Sequence, residues 1–162
     1  MSPSVAPIVV PVDGRQSETA LLIARGTRRY LRARGFATLA EMPLRSGRRA
    51  DLVAIGRDGA VFIIEIKSSV ADYRADAKWP EYREHCDRLY FAVTADMPRG
   101  LIAPDAGLIV ADGYGADLVR EAPEHRLSSA TRRMVTLQFA HLAANRLHGL
   151  CDPQLRQSTE EL

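Results

Sequence analysis

Only two cysteines, Cys86 and Cys151, occur in the 162 residues, and they stand in no metal-binding spacing. A single bridge is the most they could form, and a reducing cytosol would not maintain it. A zinc module and a disulfide scaffold are therefore both excluded, and the pair reads as packing residues. No apolar run approaches the roughly 20 residues of a membrane-spanning helix. The opening MSPSVAPIVVPVDG has no basic leader, and Pro3, Pro7 and Pro11 would break a signal helix. These absences predict a cytoplasmic protein with no membrane partner. Charge of one sign is also scarce: 22 Lys and Arg against 20 Asp and Glu leave a net +2. Attraction of the whole chain to a polyanion is then weak, although local arginine clusters could still make a binding face, so the charge neither proves nor excludes a nucleic-acid partner. There is no phosphate-cradling glycine loop, which argues against nucleotide-driven activity. The four histidines show no ligand spacing, and the single tryptophan, Trp79, reads as packing rather than as a base-stacking platform.

What remains is an ordinary globular composition, 46% hydrophobic and 26% charged, enough for one substantial core. One domain over 13–150 is expected, between an N-terminal tail of 1–12 and a frayed end of 151–162. Asp13 with Gln16 resembles a capping box for a helix over about 17–33, where Leu21, Leu22, Ala24, Tyr30 and Leu31 alternate with arginines at helical period. Strands are expected over 37–44, 50–56 and 60–68, with Gly47 and Asp58-Gly59 as turns. Asp76 is read as the cap of a helix that accepts Pro80 in its first turn and runs past Tyr82 toward Asp87. Strands over 89–94 and 107–112 follow. A last helix starts at Ser128 or Ser129, carries Met134, Leu137, His141 and Leu142 on one side, and ends near Gly149. The order is α-β-β-β-α-β with an extra C-terminal strand and helix, an α/β fold with a mixed sheet flanked by helices.

The third strand, VFIIEIK, holds the chemistry. Its pleat sends Phe62, Ile64 and Ile66 to one face and Val61, Ile63, Glu65 and Lys67 to the other. Asp51 lies one hairpin back, and its face depends on register. A two-residue Asp58-Gly59 loop would set Asp51 opposite Ile66, on the wrong face. A three-residue loop with left-handed Gly59 pairs Gly56 with Ala60 and sets Asp51 opposite Glu65. In that register two carboxylates repel each other across a strand pair, unless a cation or proton lies between them. Oxygen ligands alone favour a hard ion, Mg²⁺ or Mn²⁺, which retains waters, one of them available as a nucleophile. Lys67 can hold a scissile phosphate, stabilise its developing charge or help position the water. Metal-assisted phosphodiester hydrolysis is the reaction suggested. The plainer alternative is a strand start at Asp51 and a solvent-facing Glu65/Lys67 pair; four apolar residues leading straight into Glu65 weigh against it.

Asp51, the fourteen-residue step and Glu65-Ile66-Lys67 resemble the D…(D/E)-x-K signature of the PD-(D/E)xK nuclease superfamily, whose restriction-endonuclease-like core has the same element order. The longer run from ADLVAI through EIKSS, YRADAKWPEYREHCDRLYFAV and LIVADGYGA resembles the MmcB-like family of bacterial DNA repair proteins. Ala50 stands where proline gives the superfamily motif its first letter, a position that supplies no ligand. The resemblance implies Asp51, Glu65 and the backbone carbonyl of Ile66 as metal ligands, with a further acid from the first helix or strand, for which Glu18 and Glu41 are the candidates. It also implies DNA as the partner and DNA repair as the setting. Lys78 followed four residues later by Tyr82 is similar to a polar residue and tyrosine near the active site of related nucleases. Arg45, Arg48 and Arg49, just before Asp51, are placed to contact a DNA backbone. Ser68 and Ser69 could donate to a phosphate or simply cap a turn, and Asp72 could approach the metal from the next loop. The limited basic surface leaves room for a homodimer or another DNA repair protein to help hold the substrate. The rival reading is a non-catalytic DNA-binding or scaffolding module that recruits other repair factors, since fold and activity are separate claims.

Overall fold

The computed structural model describes residues 16–152 and 154–157; the tail expected over 1–12 and the capping residue Asp13 lie outside them. Helix α1, Glu18–Ala33, is capped by Ser17, whose hydroxyl accepts from the Ala20 N–H at 3.1 Å. Three antiparallel strands follow, β1 (Ala37–Pro43), β2 (Arg49–Ile55) and β3 (Val61–Ile66). A crossover leads to β4 (Arg88–Val93), parallel to β3, and a second to β5 (Gly107–Ala111), parallel to β4. The six-stranded sheet keeps chain order and is completed by β6, Ala116–Arg120, antiparallel to β5. The expected α/β architecture of a mixed sheet flanked by helices is therefore present.

Each face of the sheet packs a different set of alternate residues. Leu52, Ile64, Tyr90 and Ile109 pack with Ile23 and Leu31 of α1. Val53, Val61, Ile63 and Leu89 pack on the other side with Tyr82 and with Val135 of α3, which spans Ser129–Cys151 from its cap Ser128. A side chain of this kind contributes about 1.5–3 kcal/mol on full burial, so both faces of β2 and β3 are strongly specified. Asp87 fastens the second layer to the sheet. Its carboxylate is 3% exposed, accepts the N–H groups of Val61 (2.8 Å) and Leu127 (2.9 Å), and meets both guanidinium arms of Arg132 at 2.6 and 2.8 Å.

The β2–β3 hairpin adopts the odd register. Ile55 faces Val61, the Gly56 N–H donates to Ala60 O at 2.9 Å, and Gly59 has φ +85°. Glycine supplies this left-handed conformation without the steric cost of a Cβ.

Four expectations are corrected. The single helix expected from Asp76 to Asp87 is two pieces: α2, Val70–Ala75, capped by Ser69, and a 3₁₀ helix, Trp79–His85. Asp76 ends the first piece, because Pro80 has no N–H to bond the Asp76 carbonyl four residues back and its ring would clash with that carbonyl in a continuous helix. Strand β6 was not expected; its Asp117, Leu118 and Val119 are exposed, so the sequence ADLVR carries no burial alternation. On α3, Met134, Leu137 and His141 are exposed, while Val135, Phe139 and Leu142 make the packed stripe, one residue round the helix from the expected side. Cys151 is exposed rather than packed; Cys86 is buried as expected. Among the described residues no helix is long and apolar enough to cross a membrane.

Candidate active site

The β2–β3 ladder stops at Leu52 opposite Ile64, one step before Asp51 and Glu65. Beyond that point side chains replace the ladder. The Asp51 N–H donates to the Glu65 carboxylate at 3.1 Å, and the Ile66 N–H donates to the Asp51 carboxylate at 2.8 Å. Each strand thus satisfies its neighbour's backbone with a carboxylate oxygen, and both acids are held at one end of the hairpin. Glu65 is 3% exposed. Burial, followed by the charge of Asp51, raises its pKa to about 8. Burial also raises Asp51, against the hydrogen bond from Ile66 and the charge of Lys67 that lower it.

Lys67 lies at the end of β3, where its N–H still pairs with Ala92 O at 3.0 Å. Its side chain is buried and its ammonium meets the Asp76 carboxylate at 2.8 Å. Burial works against the charge, but the bond to Asp76 together with the charges of Asp76, Glu65 and Asp72 outweighs it, so the Lys67 pKa is raised above its ordinary value. The break between α2 and the 3₁₀ helix is what turns Asp76 back toward β3. Ser68 donates its N–H to Asp72 at 3.0 Å, which places a fourth carboxylate at the same strand end.

These groups line a cleft of about 510 Å³, with Arg48, Tyr82, Gln16 and the first turn of α1 on its rim. Of the residues expected from the sequence, Asp51, Glu65, Ile66, Lys67, Arg48 and Tyr82 meet there. Arg48 is paired with Glu81 at 2.6 Å, and the Tyr82 hydroxyl donates to Arg49 O at 3.1 Å. Ser68 and Asp72 join them there, and the remaining candidates do not line the cleft. Lys78 is exposed at the start of the 3₁₀ helix, where residues four apart no longer share a face. The Ser69 hydroxyl is used in capping α2, and Arg49 pairs with Glu41 at 3.5 Å. Glu18 is exposed on the first turn of α1. Glu41 holds the β1 position across from Asp51, but at φ +52° it drops out of the ladder, and its carboxylate accepts from Gln16 at 3.0 Å. Asp76 was missed as a site residue because its place beside Lys67 is set by a chain reversal. Positions nine and five residues beyond Lys67 are the mark that Asp76 and Asp72 carry in the sequence.

The donor set suits a hard divalent ion. Two carboxylates each have one oxygen committed to backbone and a second to offer, and every nearby donor is oxygen. Among the described residues no group of three or more His, Cys, Asp or Glu is arranged to hold an ion. Mg²⁺ characteristically takes only one or two carboxylates and fills the rest of its shell with water and substrate phosphate.

A family model described as DNA repair protein MmcB-like matches residues 9–154. A solved structure of a protein of unknown function from Silicibacter pomeroyi is 44% identical, with a TM-score of 0.82, covering 85% of this chain and 94% of that one. None of the curated proteins matches.

Proposed function

The chain belongs to the MmcB-like family of DNA repair proteins, and on that premise we propose that it is a metal-dependent hydrolase of DNA phosphodiester bonds. The carrying observation is the ladder end, where Asp51 and Glu65 are held together, buried, with charged Lys67 on the same face. Two buried carboxylates raise each other's proton affinity unless a cation joins them, and nothing in strand geometry requires acids at that point.

Asp51 and Glu65 would hold Mg²⁺ or Mn²⁺, with the Ile66 carbonyl beside them. Such an ion, when bound, supplies Lewis-acid polarisation and charge neutralisation. Lys67 presents an ammonium to a phosphate in the cleft and stabilises charge that develops on its oxygens. Asp76 keeps Lys67 charged and fixes its direction, so it is a positioning residue. Asp72 and Ser68 order the turn after the catalytic strand. Burial of Glu65 and Lys67 keeps this array out of bulk water, where its interactions would be weaker.

One observation favours a second reading. The Lys67–Asp76 ion pair satisfies the lysine without substrate, as a DNA-binding or scaffolding module that recruits repair factors would allow. Cleavage of labelled single-stranded, duplex and branched DNA in Mg²⁺, Mn²⁺ or chelator separates the two. The hydrolase reading expects metal-dependent cutting that Glu65→Gln abolishes. Binding without cutting under every condition selects the scaffold.

A further inference from the structure

A second recess, of about 1110 Å³, runs along α1 beside the edge strand β1, between that helix, the β2–β3 turn and α3. Five exposed arginines border it: Arg25, Arg28, Arg29 and Arg32 of α1, and Arg57 of the turn. No carboxylate lines it, and among the described residues none of the five makes an ion pair. Arg28 donates to the Thr38 hydroxyl at 3.0 Å and Arg29 to Tyr114 O at 3.5 Å, bonds that leave both charges uncompensated. Partial desolvation, and after it the charge of Arg146, pull the Arg28 pKa below its ordinary value. A chain with net charge +2 therefore concentrates positive charge on one groove.

Between the arginines lie half-buried Leu21, Phe36, Ile55 and Phe139. An apolar, partly aromatic floor under guanidinium rims matches an unpaired strand, whose bases offer faces to stack and whose phosphates offer charge. A duplex keeps its base faces stacked internally and would leave that floor unused. Arg25, Arg28 and Arg32 form one stripe of α1 spanning roughly 10 Å. The same helix also reaches the carboxylates, since Ser17 and Ala20 line that cleft and Gln16 lines both recesses.

We propose that the α1 groove binds a single DNA strand, with its phosphates on Arg25, Arg28, Arg29, Arg32 and Arg57 and its bases over Phe36 and Phe139, and leads the backbone past Gln16 to Asp51 and Glu65. Its destination rests on the hydrolase reading; the binding surface does not.

Fluorescence anisotropy of a labelled oligo-dT strand and a duplex of equal length, both with chelator present, tests the surface without catalysis. The Arg25→Gln/Arg28→Gln/Arg32→Gln protein should bind the strand at least about tenfold more weakly, and its log–log salt slope should fall by about 2. A control with Arg99→Gln, Arg126→Gln and Arg133→Gln, exposed residues outside both recesses, should stay within about threefold of wild type. The Arg25→Lys/Arg28→Lys/Arg32→Lys protein, the lysine variant, should also retain affinity. Wild-type affinity in the glutamine variant, equal losses in the control, failure of the lysine variant, or tighter binding of the duplex than of the strand would each overturn the proposal. Binding through the arginines in a protein that never cuts would leave this inference standing and remove the hydrolase reading alone.

Discussion

Asp51 and Glu65 are joined through the backbone: the Asp51 N–H donates to the Glu65 carboxylate at 3.1 Å, at the point where the β2–β3 ladder ends. The bond fixes where one acid sits relative to the other, and burial then makes the pair receptive to a cation. Millimolar Mg²⁺ should raise the thermal midpoint of the wild-type protein and leave Asp51→Asn/Glu65→Gln unchanged. Saturation to about 100 times the dissociation constant would add about 2.7 kcal/mol, and each 1 kcal/mol is worth about 2–4 °C in a chain of this size. Thermal unfolding with and without Mg²⁺ reads the difference.

Lys67 is held by Asp76 in a pair mostly shielded from solvent. Asp76→Ala removes a charged hydrogen bond and leaves a buried ammonium, which should cost about 1.5–3 kcal/mol. Asp76→Asn, which keeps an acceptor, should cost less. The urea midpoints of the two variants give the comparison, and in the Asp76→Ala/Lys67→Met double variant much of the loss should be recovered.

Asp87 predicts the acid limb of stability. Burial raises its pKa, but the Arg132 guanidinium and the Val61 and Leu127 N–H groups outweigh that and bring it to about 2. A carboxyl depressed on folding stabilises the native state above its unfolded pKa and loses that contribution as pH falls through the folded value. Stability from this group is thus full above about pH 4 and declines toward pH 2. Arg132→Ala should lower stability by about 1–3 kcal/mol at pH 7 and flatten the decline between pH 4 and pH 2, as followed by urea unfolding across that range.

Gly59 carries the hairpin register at φ +85°. Gly59→Val should cost about 1–2 kcal/mol from the left-handed conformation alone. Deleting Arg57 shortens the loop by one residue and would carry Asp51 to the opposite face. That variant should lose Mg²⁺ stabilisation even if it folds, which thermal unfolding and circular dichroism would report together.

Much of this site was legible in the sequence because a hairpin is a local object. The pleat puts Glu65 and Lys67 on one face, and Gly59 permits the odd register that sets Asp51 against Glu65; the choice between a two- and a three-residue loop is made only in the folded hairpin. Asp76 escaped because its role depends on a helix that stops at Ala75 and restarts at Trp79-Pro80, and a helical pattern does not announce a reversal. Lys78 was misplaced for the same reason: spacing by four shares a face in an α-helix and not in a 3₁₀ helix. Strand β6 was invisible because an exposed edge strand has no alternation to read. The arginines of α1 were plain as residues, but their convergence with Arg57 and Phe139 is a tertiary fact, absent from any single segment.

Lys67 is the residue that separates hydrolysis at the end of β3 from binding alone. The measurement is cleavage of a labelled single DNA strand by wild-type and Lys67→Ala protein, in Mg²⁺ and in chelator, with folding of both confirmed by circular dichroism. The wild type should cut in Mg²⁺ and not in chelator, and a folded Lys67→Ala variant should cut at least about a hundredfold more slowly. Cutting at the wild-type rate by that variant, or no cutting by either protein in Mg²⁺ while both bind the strand, would rule out hydrolysis at this site.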